Sequence, residues 1–113
     1  MTQEQKDLLL KDLCARLPYN VAIDCRSEDS RFTCYLTTDI LREIQNNRCY
    51  WEYKPYLFPL SSITEEQKED MIKSSCGIGS DKNVFDWWNK NHFDYRDLIP
   101  MGLAIDATGL NIY

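Results

Sequence analysis

The residue types best suited to chemistry fall within 83–105, where NVFDWWNKNHFDYRDLIPMGLAI sets the only histidine of the chain among Phe85, Trp87, Trp88, Phe93 and Tyr95. His92 with Asp94, or with Asp86, would make an acid/base pair, because a neighbouring carboxylate orients an imidazole and lifts its pKa. The same stretch contains no Ser and no Cys for such a pair to activate. The bland reading is that a histidine just past an aromatic helix packs or caps its C-terminus, and that reading is the stronger one here. His92 and Asp94 are left as weak catalytic candidates, and the chain reads as a non-enzyme.

Five cysteines, Cys14, Cys25, Cys34, Cys49 and Cys76, are odd in number and show no CxxC spacing. One histidine and unpaired cysteines do not make a zinc site, so neither metal nor other cofactor is expected. Cys14 falls on the apolar side of a predicted helix and Cys25, Cys34 and Cys49 among β-prone residues, as small buried hydrophobes do. The charged, helical start carries no secretory leader, and free thiols suit a reducing compartment, so the expected location is cytoplasmic. No apolar run approaches the ~20 residues that cross a bilayer. Cys76-Gly77-Ile78-Gly79-Ser80 resembles a phosphate cradle only superficially, because no predicted strand precedes it and no lysine follows in the required position. A helix ending in glycine accounts for it.

Binding is better supported than catalysis. Net charge is −5, and the basic residues Arg42, Arg48, Lys54, Lys82 and Lys90 stand singly among acids, which argues against direct nucleic-acid binding. Glu65, Glu66, Glu69 and Asp70 gather at a predicted helix start, where the helix dipole favours acids. They form either a solvated face or a surface whose carboxylates stand where phosphates would sit in a basic groove. Among Tyr50, Trp51, Tyr53, Tyr56 and Phe58, strand alternation puts Trp51 and Tyr53 on one apolar side. Trp87 and Trp88 lie about 100° apart on a helix, so one of them is expected to reach the surface. The partner-binding candidates are thus Trp51, Tyr53, Glu65, Glu66, Glu69, Asp70 and Trp88.

The elements that must position these residues follow from period and punctuation. With 113 residues and 43% hydrophobic content, one α+β domain spanning 1–113 is expected. Thr2 and Gln5 form a capping box that opens a helix over 3–16, with Leu9, Leu10, Leu13, Cys14 and Leu17 as its apolar stripe. Strands at 21–25 and 31–36 make a hairpin turned by Ser27-Glu28-Asp29-Ser30. Residues 38–46 fit either a short helix opened by Thr38-Asp39 or an alternating strand, and the helix is favoured. A third strand over 49–53 should end before Pro55 and Pro59, leaving 54–62 as an extended connection. A second capping box, Thr64 with Gln67, opens a helix to about residue 75. A third helix is capped by Asp81 or Asn83 and covers 84–91, and the tail from 102 docks as an extended edge. The architecture is a small antiparallel sheet packed with an N-terminal helix and two later helices. The Thr2 and Thr64 helices share Thr, Glu, Gln, Lys, Lys and Cys at constant offset, which we read as convergence on a good helix start rather than duplication.

Lys54-Pro55-Tyr56-Leu57-Phe58-Pro59-Leu60-Ser61-Ser62-Ile63-Thr64-Glu65-Glu66, together with His92-Phe93-Asp94-Tyr95-Arg96-Asp97-Leu98-Ile99-Pro100 and Gly102-Leu103-Ala104, resembles small proteins encoded by phages and prophages of gut bacteria. The resemblance includes the opening Thr2-Gln3-Glu4-Gln5-Lys6 and 12–19, and covers roughly half the chain; residues 21–53 do not share it. The usual glycine after the Pro-Tyr pair is Asn20 here, and a Trp-Leu-Asn pattern has become Trp87-Trp88-Asn89. No activity is attached to that group, so the resemblance implies a setting, the cytoplasm of a bacterial host, and no catalytic residue. It implies a partner that is a host protein, most sharply a nucleic-acid-binding defence enzyme with a basic groove inhibited in the manner of an anti-CRISPR protein. The alternative is a self-associating structural or accessory phage domain, a homo-oligomer, and the second alternative a small enzyme using His92.

Overall fold

A computed structural model describes residues 2–46, 51–75 and 80–113. Helix α1 (Gln3–Arg16) opens on the expected capping box: Thr2 Oγ1 accepts from the Gln5 amide at 3.1 Å and Gln5 Oε1 from the Thr2 amide at 3.0 Å. Two amides that a helix start leaves without partners are thereby satisfied. The buried side of α1 is Lys6, Leu9, Asp12, Leu13 and Arg16. Cys14 is exposed, and Leu10 and Leu17 are half-buried. The expected stripe is therefore corrected: it is rotated toward two charged residues, which enter the interior as an i,i+4 ion pair that apolar periodicity does not register. A 3-10 turn (Leu17–Tyr19) follows, ended by Asn20 at φ 53, a left-handed conformation that glycine and asparagine adopt most readily.

Strands β1 (Ala22–Arg26) and β2 (Arg31–Tyr35) form the antiparallel hairpin, closed by the Ser27 amide donating to the Ser30 carbonyl at 2.8 Å. Ala22 to Cys25 are buried, whereas β2 is the sheet edge and largely exposed. The ambiguous segment that follows is a helix, α2 (Thr38–Gln45), whose Ile40 and Ile44 enter the core one turn apart. Its cap is Thr37 rather than Thr38 or Asp39, with Thr37 Oγ1 accepting from the Ile40 amide at 3.3 Å. Lys6 explains its own burial by donating from Nζ to the Gln45 carbonyl at 2.8 Å, a cation at the negative end of α2.

The largest departure from the sequence reading lies at β3 (Glu52–Pro59), which runs through both prolines. Cys49 and Tyr50 lie outside the described residues. β3 pairs antiparallel with β1, Ile23 opposite Pro55 and Cys25 opposite Tyr53. It pairs parallel with β4 (Phe93–Asp94) and β5 (Ile105–Asp106), so the sheet is mixed rather than antiparallel. Backbone alternation explains how Pro55 is accommodated. The Phe58 amide donates to the His92 carbonyl at 2.8 Å on one side of β3, while the Leu57 carbonyl accepts from the Ala107 amide at 2.8 Å on the other. Pro55 is in phase with Leu57, so its missing N–H faces away from β1 and costs the β1–β3 ladder no bond. The tail docks as expected, with β5 supplying its paired edge.

After a 3-10 turn (Leu60–Ser62), α3 (Glu65–Ser75) opens on the second capping box, Gln67 amide to Thr64 Oγ1 at 3.1 Å and Thr64 amide to Gln67 Oε1 at 2.8 Å. The predicted third helix is α4 (Ser80–Lys90), which begins four residues earlier than 84. Cys76-Gly77-Ile78-Gly79, read from the sequence as a glycine-ended helix terminus, lies outside the described residues. α3 packs chiefly against α4. One sheet face carries Val21, Ile23, Cys25 and Leu57 against α1 and α2; Ala22, Tyr56 and Ala107 form a smaller core on the other, with Phe58, Ile105 and Ile112 packed against it. The chain is thus α+β, and among the described residues no helix is long and apolar enough to cross a membrane.

Candidate interaction surfaces

The HFDYR segment is organised around buried charge rather than around an acid/base pair. Asp94, buried, accepts from the Leu98 and Ile99 amides at 2.9 Å each, which fixes the turn that follows β4. His92, at φ 63, lies flat on Tyr113 with ring centroids 3.7 Å apart. Its Nδ1 is buried without a hydrogen-bond partner. Burial, with the Arg16 charge as a second cause, pushes its pKa down to about 4, so the imidazole is neutral at pH 7. The lift from a neighbouring carboxylate that the sequence predicts does not operate on His92; desolvation dominates and moves the pKa the other way.

Beside it, α1 supplies a side chain that the sequence reading overlooked. Arg16 is fully buried, donates to Asp12 from Nε at 2.7 Å and Nη2 at 3.1 Å, and reaches the Phe93 carbonyl at 2.6 Å. Arg96 Nε donates to the same carboxylate at 3.1 Å. Both guanidinium groups lie over the Tyr95 ring, at 5.2 Å for Arg16 and 4.9 Å for Arg96, and the Tyr95 hydroxyl donates to Asn89 at 2.8 Å. This cluster fastens α1, α4 and β4 together. The available signal was the i,i+4 spacing of Asp12 and Arg16; Arg96, the second partner of Asp12, is 84 residues away along the chain.

The binding candidates fall in three places. Trp51 and Tyr53 line an open cleft of about 730 Å³ whose apolar wall also includes Leu9, Ile44 and Leu103 and whose polar lining includes Arg26, Glu28, Glu52 and Lys54. Both aromatics are half-buried; Trp51 meets Phe32 edge to face at 5.0 Å, and the Tyr53 hydroxyl donates to Glu43. Among the described residues, none of α3 or α4 lines this cleft. Glu65, Glu66 and Glu69 are exposed on α3, whereas Asp70 accepts from Trp87 Nε1 at 2.8 Å and so holds α3 to α4. Trp88 is half-buried, stacked on Tyr95 at 5.4 Å and edge-on to Phe85 at 5.5 Å. Trp87 is the buried member of the pair. Among the described residues no group of His, Cys, Asp and Glu is arranged to hold a metal ion.

Compared with protein-family models, with curated proteins and with solved structures, the chain matches none.

Proposed function

We propose that the chain is a non-enzymatic, phage-type binding protein that inhibits or redirects a host protein, with α3 as the face presented to a basic groove. The observation that carries this reading is the outward set of carboxylates on α3: the Glu65 side chain is 90% exposed, and Glu69 and the exposed Ile72 continue the same helical side at i+4 and i+7. Acidic groups flanking an apolar contact suit a basic groove, because the charges steer the encounter and the apolar residue is desolvated at its centre. The net charge of −5 has the sign this requires. The sharper form of the proposal is an anti-defence inhibitor of a nucleic-acid-handling enzyme such as an RNA-guided nuclease, acting in the bacterial cytoplasm.

The test is capture of a partner from host lysate at low and high salt by the parent and by a Glu65→Lys, Glu66→Lys, Glu69→Lys variant. A stoichiometric partner held by the parent, released by salt and lost by the variant supports the proposal. Equal capture by both proteins removes the acidic face from it. A second reading, self-association, is favoured by the β2 edge: the Leu36 amide donates to the Val21 carbonyl, so by alternation Thr33 and Tyr35 turn their backbone groups outward, and Phe32 and Tyr35 are exposed. A concentration-dependent dimer mass in solution, abolished by Thr33→Pro, would establish it.

A further inference from the structure

We propose that Cys25 and Cys34 form an oxidation site that closes an intrachain disulfide across the β-hairpin, tying the edge strand β2 to the buried strand β1. Their sulfurs lie 2.7 Å apart, far nearer than two unbonded thiols need to be and longer than the ~2.05 Å of a disulfide. The register explains how they meet. Cys25 stands opposite Phe32 and Cys34 opposite Ile23, so the two cysteines are diagonal neighbours whose side chains share the sheet face that packs on α1 and α2. Both thiols are free.

Their surroundings assign the order of events. Cys34 is half-buried at the sheet edge and is the sulfur that a small peroxide reaches; Cys25 is buried. Burial, reinforced by its contact with Cys34, pushes the Cys25 thiol up to about 12, which keeps it protonated and poorly reactive toward solvent oxidants at neutral pH. Hydrogen peroxide oxidises the Cys34 thiol to a sulfenic acid and is itself reduced to water. The Cys25 sulfur then attacks the Cys34 sulfur: the S–S bond forms, the S–O bond breaks, and the departing hydroxide leaves as a second water with the Cys25 proton. A dithiol reductant reverses the product to two thiols. Cys14, exposed on α1, is the competing target and has no sulfur beside it among the described residues.

The full chain, reduced and then treated with hydrogen peroxide, is alkylated and digested with trypsin. Cleavage after Arg16, Arg26, Arg31 and Arg42 separates the cysteines onto peptides 17–26 and 32–42. Recovery of these two peptides joined, 2 Da lighter than their sum, from monomeric protein and abolished by a reductant, is the expected result. Cys34→Ser, at a half-buried position that tolerates the smaller polar side chain, should fold as the parent does and lose the linked pair completely. Cys14→Ser should retain it. Peroxide that leaves Cys34 as a sulfinic acid without the link, or that joins peptide 17–26 equally to other cysteine peptides, would overturn the assignment.

Discussion

The Tyr113 ring lies on the His92 imidazole with planes 10° apart, and its hydroxyl stands between two strands, accepting from the Ala22 amide at 2.8 Å and donating to the Tyr56 carbonyl at 2.7 Å. A side chain 91 residues away from Ala22 thus replaces a direct bond between β1 and β3 at the point where the Phe58 amide turns to His92. Burial pushes the Tyr113 phenol above its ordinary pKa, so it stays protonated and keeps its donor. Tyr113→Phe preserves the stacking and leaves one amide and one carbonyl unpaired. The expected cost is about 1–3 kcal/mol in urea unfolding, with little change in the slope. A loss below a few tenths would show that the bridge is dispensable.

Acid should weaken the fold through His92. Its folded pKa, about 4, lies below the ordinary 6.5, so between those values the unfolded chain binds a proton that the folded chain refuses. The contribution is complete above pH 6.5 and falls away as pH drops toward 4. Discounted for partial exposure, it is on the order of 2 kcal/mol. His92→Gln should flatten the stability profile over that window when melting is followed from pH 7 to pH 4, and an unchanged slope would remove His92 as the cause.

Asp12 is the shared anion of two arginines, one of them fully buried. Asp12→Asn leaves Arg16 buried without its carboxylate, and the expected loss is about 3–5 kcal/mol. Asp12→Leu combined with Arg16→Met removes both charges and should cost clearly less than the sum of the single changes. Additive losses in a double-mutant cycle would mean that the two side chains are not coupled.

Native-state thiol labelling distinguishes Cys14 from Cys25. Cys14 is exposed and should react with a maleimide at pH 7 before unfolding, while Cys25, buried and held protonated, should react at least tenfold more slowly. Equal rates measured by peptide mass would place Cys14 back on the apolar side of α1.

Helix entry is a local matter. Thr64→Ala removes one cap oxygen from α3 and should cost about 1 kcal/mol, with the loss of helical circular dichroism confined to that helix. A neutral result would show that the packing of Asp70 against Trp87 holds α3 without its cap.

What the sequence determined by itself is short in range. Thr2 with Gln5 and Thr64 with Gln67 make their capping boxes from residues three apart, and the hairpin closes through Ser27 and Ser30. The interaction energies that decide these features are contained in one turn, so pattern suffices to find them. Tertiary structure decided the rest. Pro55 sits inside a strand because its missing N–H faces away from β1, and Cys14 is turned outward because Asp12 and Arg16 are drawn in by Arg96 and the Phe93 carbonyl. The same long-range pairing spreads the binding candidates: Trp51 and Tyr53 line a cleft with α1, Asp70 is taken up by Trp87, and Glu65, Glu66 and Glu69 stay in solvent. A residue's neighbours across the sheet are fixed by register and burial summed over the whole fold, and no window of sequence contains that sum.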